Sequence, residues 1–173
     1  MLLKVYHTTS SLDGIITFPD LTTESDNWLG DGFYFWQDPE FADWWGDTFK
    51  CKKWNTSRKF DVYEANLEFN ESDFIDTVFN ENDYYNFVST VEKFAKKFQK
   101  IFRKKPTLDD FNLFLKRHNV WESVSIIRFQ DVPANNQLVE VNGYYYKKRI
   151  QIRVNKAEII SSFAHLKRKD CLH

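Results

Sequence analysis

Apolar and polar positions alternate along this chain in two rhythms, and the change from one to the other predicts the order of elements. Residues 2–7 and 32–37 read as strands, the second almost wholly apolar and aromatic and introduced by the turn residues Gly30-Asp31-Gly32. Asp38-Pro39-Glu40 then supplies an N-cap, a proline at the first helical position and an acidic first turn, so a short helix is expected as far as Trp45, with Gly46 as its stop. Tyr63, Ala65, Leu67 and Phe69 alternate with Glu64, Asn66 and Glu68, the period of a half-buried strand. Between about 82 and 104 the period lengthens. Tyr84, Phe87, Val88, Val91, Phe94, Phe98, Ile101 and Phe102 recur at helical spacing, and Lys93, Lys97, Lys100 and Lys104 form a basic stripe opposite them. Thr107 with Asp110 three residues on resembles a capping box, opening a second helix whose one face is Leu108, Phe111, Phe114, Leu115 and His118. Residues 124–129, 138–141 and 144–154 return to strand chemistry, with Asn142-Gly143 as a hairpin signal. Residues 156–169 read as a short strand or helix followed by a basic tail. Strands at both ends with helices between them predict an α+β class rather than the regular alternation of a doubly wound sheet.

Length and composition narrow this picture. A chain of 173 residues and 20.8 kDa suits one domain spanning 1–173, with a helical insertion at about 82–118. The 42% apolar and 18% aromatic content excludes wholesale disorder, and 5 Gly with 4 Pro exclude collagen-like or linker compositions. No apolar run approaches the ~20 residues that span a bilayer, and residues 1–6 make no signal-peptide core, so a soluble, cytoplasmic protein is expected. Cys51 and Cys171 stand far apart with no pairing pattern, which argues against a disulfide scaffold or a structural zinc. The formal charge of −1 conceals an asymmetry: residues 1–87 hold 6 Lys/Arg against 17 Asp/Glu, and residues 88–173 hold 18 against 8. Unless the halves interleave in space, such a chain presents a basic surface beside an acidic one.

The informative residues are Tyr6-His7-Thr8-Thr9, then Leu29-Gly30-Asp31-Gly32-Phe33-Tyr34-Phe35-Trp36, then Ala42-Asp43-Trp44-Trp45-Gly46. No third glycine follows Gly32, so the dinucleotide fingerprint is missing. In order and spacing these three stretches resemble the ADP-ribosyltransferase fold of the diphtheria-toxin/PARP-like class. Its marks are a His-Gly-Thr/Ser strand, a Gly-x-Tyr-Phe strand and an alanine-bearing helix with an aromatic residue two positions on. The resemblance covers residues 5–46 and implies split antiparallel sheets around an NAD cleft, with NAD as substrate.

It also implies roles. His7 would hydrogen-bond a ribose hydroxyl, Tyr34 and Trp44 would offer rings to the cationic nicotinamide, and the backbone at Thr8, with Thr9 and Gly32, would complete the cofactor site. Thr8 departs from the family's glycine, so a β-carbon crowds the approach. The third catalytic slot falls best on Gln151, which shares a strand face with Arg153. A glutamine can orient a ribose but cannot act as a general base. Glu140, Glu158 and, more distantly, Glu64 are the fallback carboxylates. His118, His165 and His173 lack metal-ligand spacing and no metal is expected. The lysine stripe could hold the phosphates of RNA or DNA. The expected activity is mono-ADP-ribosyl transfer to an intracellular nucleic acid or protein, in the manner of bacterial toxin–antitoxin or phage-defence toxins with an antitoxin partner. The alternatives are NAD hydrolysis and a catalytically weak or inactive module that binds nucleic acid or a partner protein.

Overall fold

Each element begins where its sequence supplies a start signal. Asp38 caps α1 (Pro39–Trp45) by accepting from the Glu40 amide at 2.9 Å. Asn80 caps α2 (Glu81–Phe102) by accepting from the amides of Asn82 and Asp83. Thr107 caps α3 (Leu108–Arg117) by accepting from the Asp110 amide at 3.1 Å. The strands are β1 (Leu2–Ser10), β2 (Phe33–Trp36), β3 (Lys59–Glu68), β4 (Phe74–Asp76), β5 (Ile126–Gln130), β6 (Ile150–Val154) and β7 (Ile160–Asp170). The computed structural model describes residues 1–11, 14–23, 27–131 and 148–172. The expected strand at 138–141, the hairpin at Asn142-Gly143, the start of the 144–154 strand and the fallback Glu140 all lie outside these residues.

The strands form one seven-stranded sheet in the order β4-β5-β6-β2-β1-β3-β7. It is mixed, since β4 pairs with β5 in parallel and the remaining neighbours are antiparallel. With three α-helices among the described residues this is an α+β molecule, as the alternation of periods predicts. The pairing is uneven. β1 and β3 stay in register over nine residues, from Leu2 opposite Glu68 to Ser10 opposite Phe60, whereas β1 meets β2 at one registered pair, Tyr6 opposite Trp36. The sheet is therefore two half-sheets, β4-β5-β6-β2 and β1-β3-β7, hinged at Tyr6–Trp36.

Each face carries its own apolar layer. On one lie Val5, Phe35, Ala65, Leu67, Ile152 and Val154, with Phe69 and Ile159 packed on them. On the other, α1 and the π-helix Gly46–Lys50 cover Trp36, Phe60 and Val62 through Phe41, Ala42 and Cys51. Among the described residues no helix is long and apolar enough to cross a membrane.

Three expectations are corrected here. The α-helix ends at Trp45 with Gly46 at its C-cap, as expected, but Gly46 does not turn the chain off the helical path. It keeps right-handed helical angles and continues into the π-helix, because its missing side chain lets the backbone lie against the buried Phe60 ring, where any β-carbon would collide. Residues 156–169, expected as a short strand or helix and then a basic tail, take the strand alternative, but the strand is long and replaces the tail: after a 3-10 turn (Ala157–Ile159) comes β7, the edge partner of β3. Cys51 and Cys171 do pair, as a disulfide, because the ladder that sets Lys59 opposite Asp170 brings position 171 beside position 51.

The fold joins parts of the two charge halves. From β7, Lys167 and Lys169 both reach Asp43 at 2.8 Å and Arg168 pairs with Asp61, while elsewhere Lys116 pairs with Asp31 and Arg128 with Asp76. Basic residues of the second half thus meet acidic residues of the first at these points.

Candidate functional site

The hinge places the first motif where the sheet parts. Past Tyr6, β1 carries His7, Thr8 and Thr9 away from β2, and the His7 ring fills the gap: its Nδ1 donates to the Tyr34 carbonyl at 3.0 Å, standing in for a strand partner. A carbonyl can only accept, so the proton sits on Nδ1 and the neutral ring keeps a lone pair on Nε2. The ring is partly exposed and set among aromatics. Phe35 lies 5.8 Å away edge-on and Phe163 lies 6.1 Å away, with Phe163 in turn stacked on Tyr63 at 4.7 Å. Phe18, from the segment between β1 and β2, packs on Phe33 and Phe163 over the same face.

Burial pushes the His7 imidazole below its ordinary value. The hydrogen bond to Tyr34 opposes this, the Lys50 ammonium adds to the lowering, and the Asp20 carboxylate acts against it. The imidazole is therefore neutral at pH 7. The unfolded chain binds this proton more readily than the folded one. The contribution of the neutral ring is present above about pH 6.5 and is lost as pH falls from there toward the folded value. Denaturant midpoints measured across that range should decline less toward acid in His7→Gln than in the parent, and superimposable acid limbs would overturn the assignment.

Tyr34 does not face His7. Strand alternation and the Tyr6–Trp36 register put Thr8, Tyr34 and Trp36 on one face and His7, Thr9 and Phe35 on the other. The Tyr34 hydroxyl donates to the Gly30 carbonyl at 2.7 Å and accepts from the Leu29 amide at 3.3 Å, and its ring meets Phe129 edge-on. Burial pushes this phenol up to about 12, which keeps it a donor.

The other expected site residues divide along the same line. Gln151 is registered opposite Trp36, on the Tyr34 face. Trp44 packs among Trp36, Trp45 and Phe49 with the Arg149 guanidinium 4.5 Å over its ring, so its face is already occupied. Thr8 is buried, and its hydroxyl donates to the Ala42 carbonyl at 2.8 Å. Gly32 lies against the Arg153 side chain, where a β-carbon would meet Cγ at 2.9 Å. Thr9 stays with His7, opposite Asp61.

The expected crevice lined by both His7 and Tyr34 is thus not what the register builds: of that set Thr9 shares the His7 face, whereas Thr8 and Gln151 share the Tyr34 face. Phe35, Tyr63, Phe163 and Asp20, which the motifs did not single out, are their neighbours. The alternation within residues 33–36 signals that Phe33 and Phe35 oppose Tyr34, but which pair joins His7 depends on the β1–β2 register.

The lysine stripe is exposed along α2, though Lys104 is bound to Asp110 at 2.8 Å and Lys97 lies over the Phe94 and Phe114 rings. His118 Nδ1 donates to the Phe114 carbonyl, an end-of-helix contact, and His165 is bound to Asp61. Among the described residues no cluster of His, Cys, Asp and Glu could hold a metal. Comparison with protein-family models, with curated proteins and with solved structures finds no match for this chain.

Proposed function

We propose that this chain is an ADP-ribosyltransferase-like protein that takes NAD at the split between its half-sheets, on the face of His7. The observation that carries this reading is the parted sheet beside an imidazole of fixed tautomer. Nε2 is then an acceptor for a ribose hydroxyl, and Phe163 and Phe18 supply electron-rich rings for a cationic nicotinamide, each worth ~0.5 to 2 kcal/mol when desolvated. Breaking the bond to nicotinamide builds positive charge on the ribose, which a nearby carboxylate would stabilise. Gln151 brings no charge and lies on the other face, whereas the Asp20 carboxylate is close enough to act on His7.

Asp20 is exposed and held by a loop, so slow turnover or binding without turnover fits the site better than efficient transfer. Toxin activity toward RNA, DNA or protein, and an antitoxin partner, stand as proposals on the same footing.

The test uses NAD labelled in its ADP-ribose part. Label appearing on a macromolecule identifies transfer, free nicotinamide with unlinked ADP-ribose identifies hydrolysis, and intact bound NAD identifies the binding module. Loss of the His7 hydrogen bond in His7→Ala should weaken NAD binding roughly tenfold or more. Tyr34→Phe should leave binding nearly unchanged, since its hydroxyl is spent on Gly30 and Leu29. Unaltered NAD affinity in a folded His7→Ala protein, or an equal loss in Tyr34→Phe, sinks the reading.

A further inference from the structure

A cavity of about 700 Å³ opens on the Tyr34 face, between the segment ending at Gly32, α3 and the start of the turn after β6. That volume lies within the range of small-molecule sites, ~300 to 1,000 Å³. Its floor is Arg153, registered opposite Tyr34 on β6. The guanidinium is tied down by backbone alone: Nε and Nη2 donate to the Asp31 carbonyl at 3.0 and 2.7 Å, and Nη1, shielded from solvent, has no hydrogen-bond partner. No carboxylate pairs with it among the described residues, since the Asp31 side chain is bound instead by Lys116 at 2.8 Å. Burial lowers the pKa of this group, while the Asp31 carboxylate, shared with Lys116, acts against the lowering. A largely desolvated cation that holds only a shared counter-charge is costly unless something supplies more.

The lining is also aromatic. Trp121 lines the cavity and is fixed from behind by Phe87, stacked at 5.2 Å and 14°. Leu113 and Val120 add apolar surface, and Asp109 and Glu122, both exposed, also line the space.

We propose that this cavity binds a small aromatic oxyanion, its carboxylate or phosphate set against the Arg153 guanidinium and its ring against Trp121. The site lies across the sheet from His7 and does not depend on NAD binding there. Gly32 acquires a purpose in this arrangement, because only a residue without a β-carbon lets the Arg153 side chain lie flat beneath the turn.

The test is a two-dimensional NMR titration of the Trp121 indole N–H, assigned through Trp121→Phe, with phenyl phosphate, benzoate and phenol as probes. At least one of the two anions should shift this signal saturably, and phenol should bind roughly ten- to hundredfold more weakly for lack of a charge-assisted hydrogen bond. Arg153→Gln should bring anion and phenol to similar affinity. Should that variant fail to fold, Leu113→Trp at a position that is 54% exposed fills the cavity instead and should abolish the shift. Equal affinity for phenol and both anions in the parent, no saturation with either anion, or an anion-induced shift that survives Leu113→Trp would each overturn the proposal.

Discussion

Opening the Cys51–Cys171 disulfide, by reduction or by replacing both cysteines with serine, should lower the stability of the folded chain by about 5 kcal/mol. The bond closes a loop with a sequence separation of 120 residues, and on the chain-entropy account the unfolded ensemble gains the freedom of that loop when it is broken. Cys51, 9% exposed, ends the π-helix and belongs to the layer with Trp36 and Phe60, while Cys171 follows the edge strand β7. The bond thus pins the far edge of the sheet to the helical cover of one face. Denaturant titrations with and without reductant measure the difference, and coincident curves would show that the loop is already constrained in the unfolded chain. The pairing also bears on the expected cytoplasmic setting, because reducing compartments keep such thiols open. In the cytoplasm the chain would work at the lower stability.

The second large effect belongs to Phe35. Truncation to alanine should cost about 3 to 5 kcal/mol, the range for removing a buried aromatic side chain. Phe35 is 1% exposed, stands opposite Ile152 across the β2–β6 ladder and meets the His7 ring edge-on. The half-sheets share one backbone pair, so side-chain packing of this kind carries much of the junction between them. The same truncation removes the ring that supports His7 edge-on, so stability and NAD affinity should fall together in Phe35→Ala. Phe33, only partly buried and farther from the hinge, should cost less on truncation. A loss under about 1 kcal/mol in Phe35→Ala would mean that the layer collapses around the gap.

Much of the local structure is legible without coordinates. The caps at Asp38 and Thr107, the proline opening α1 and the helical spacing of α2 act through neighbours within a turn or two, and all three helices start within a residue or two of where those signals put them. The alternation through β3 likewise announces which of its residues go inward. The segment at 156–169 stays undecided between strand and helix, and its length unread, because Phe163, His165 and Leu166 are too mixed to choose until β3 supplies a partner edge.

The candidate site shows the limit most clearly. That Phe33 and Phe35 point away from Tyr34 follows from a period of two and belongs to the sequence. Which of them joins His7 depends on pairing Tyr6 with Trp36, a contact across 30 residues of chain. A shift of one residue there would have set the phenol beside the imidazole. The disulfide and the ion pairs of β7 with Asp43 and Asp61 have the same origin, the long β3–β7 ladder. Sequence by itself determined the elements, their caps and the two sides of each strand, because those rest on interactions along the backbone. Only the tertiary structure decided register, and with it which side chains share a wall, because register is settled by packing among segments the chain must first bring together.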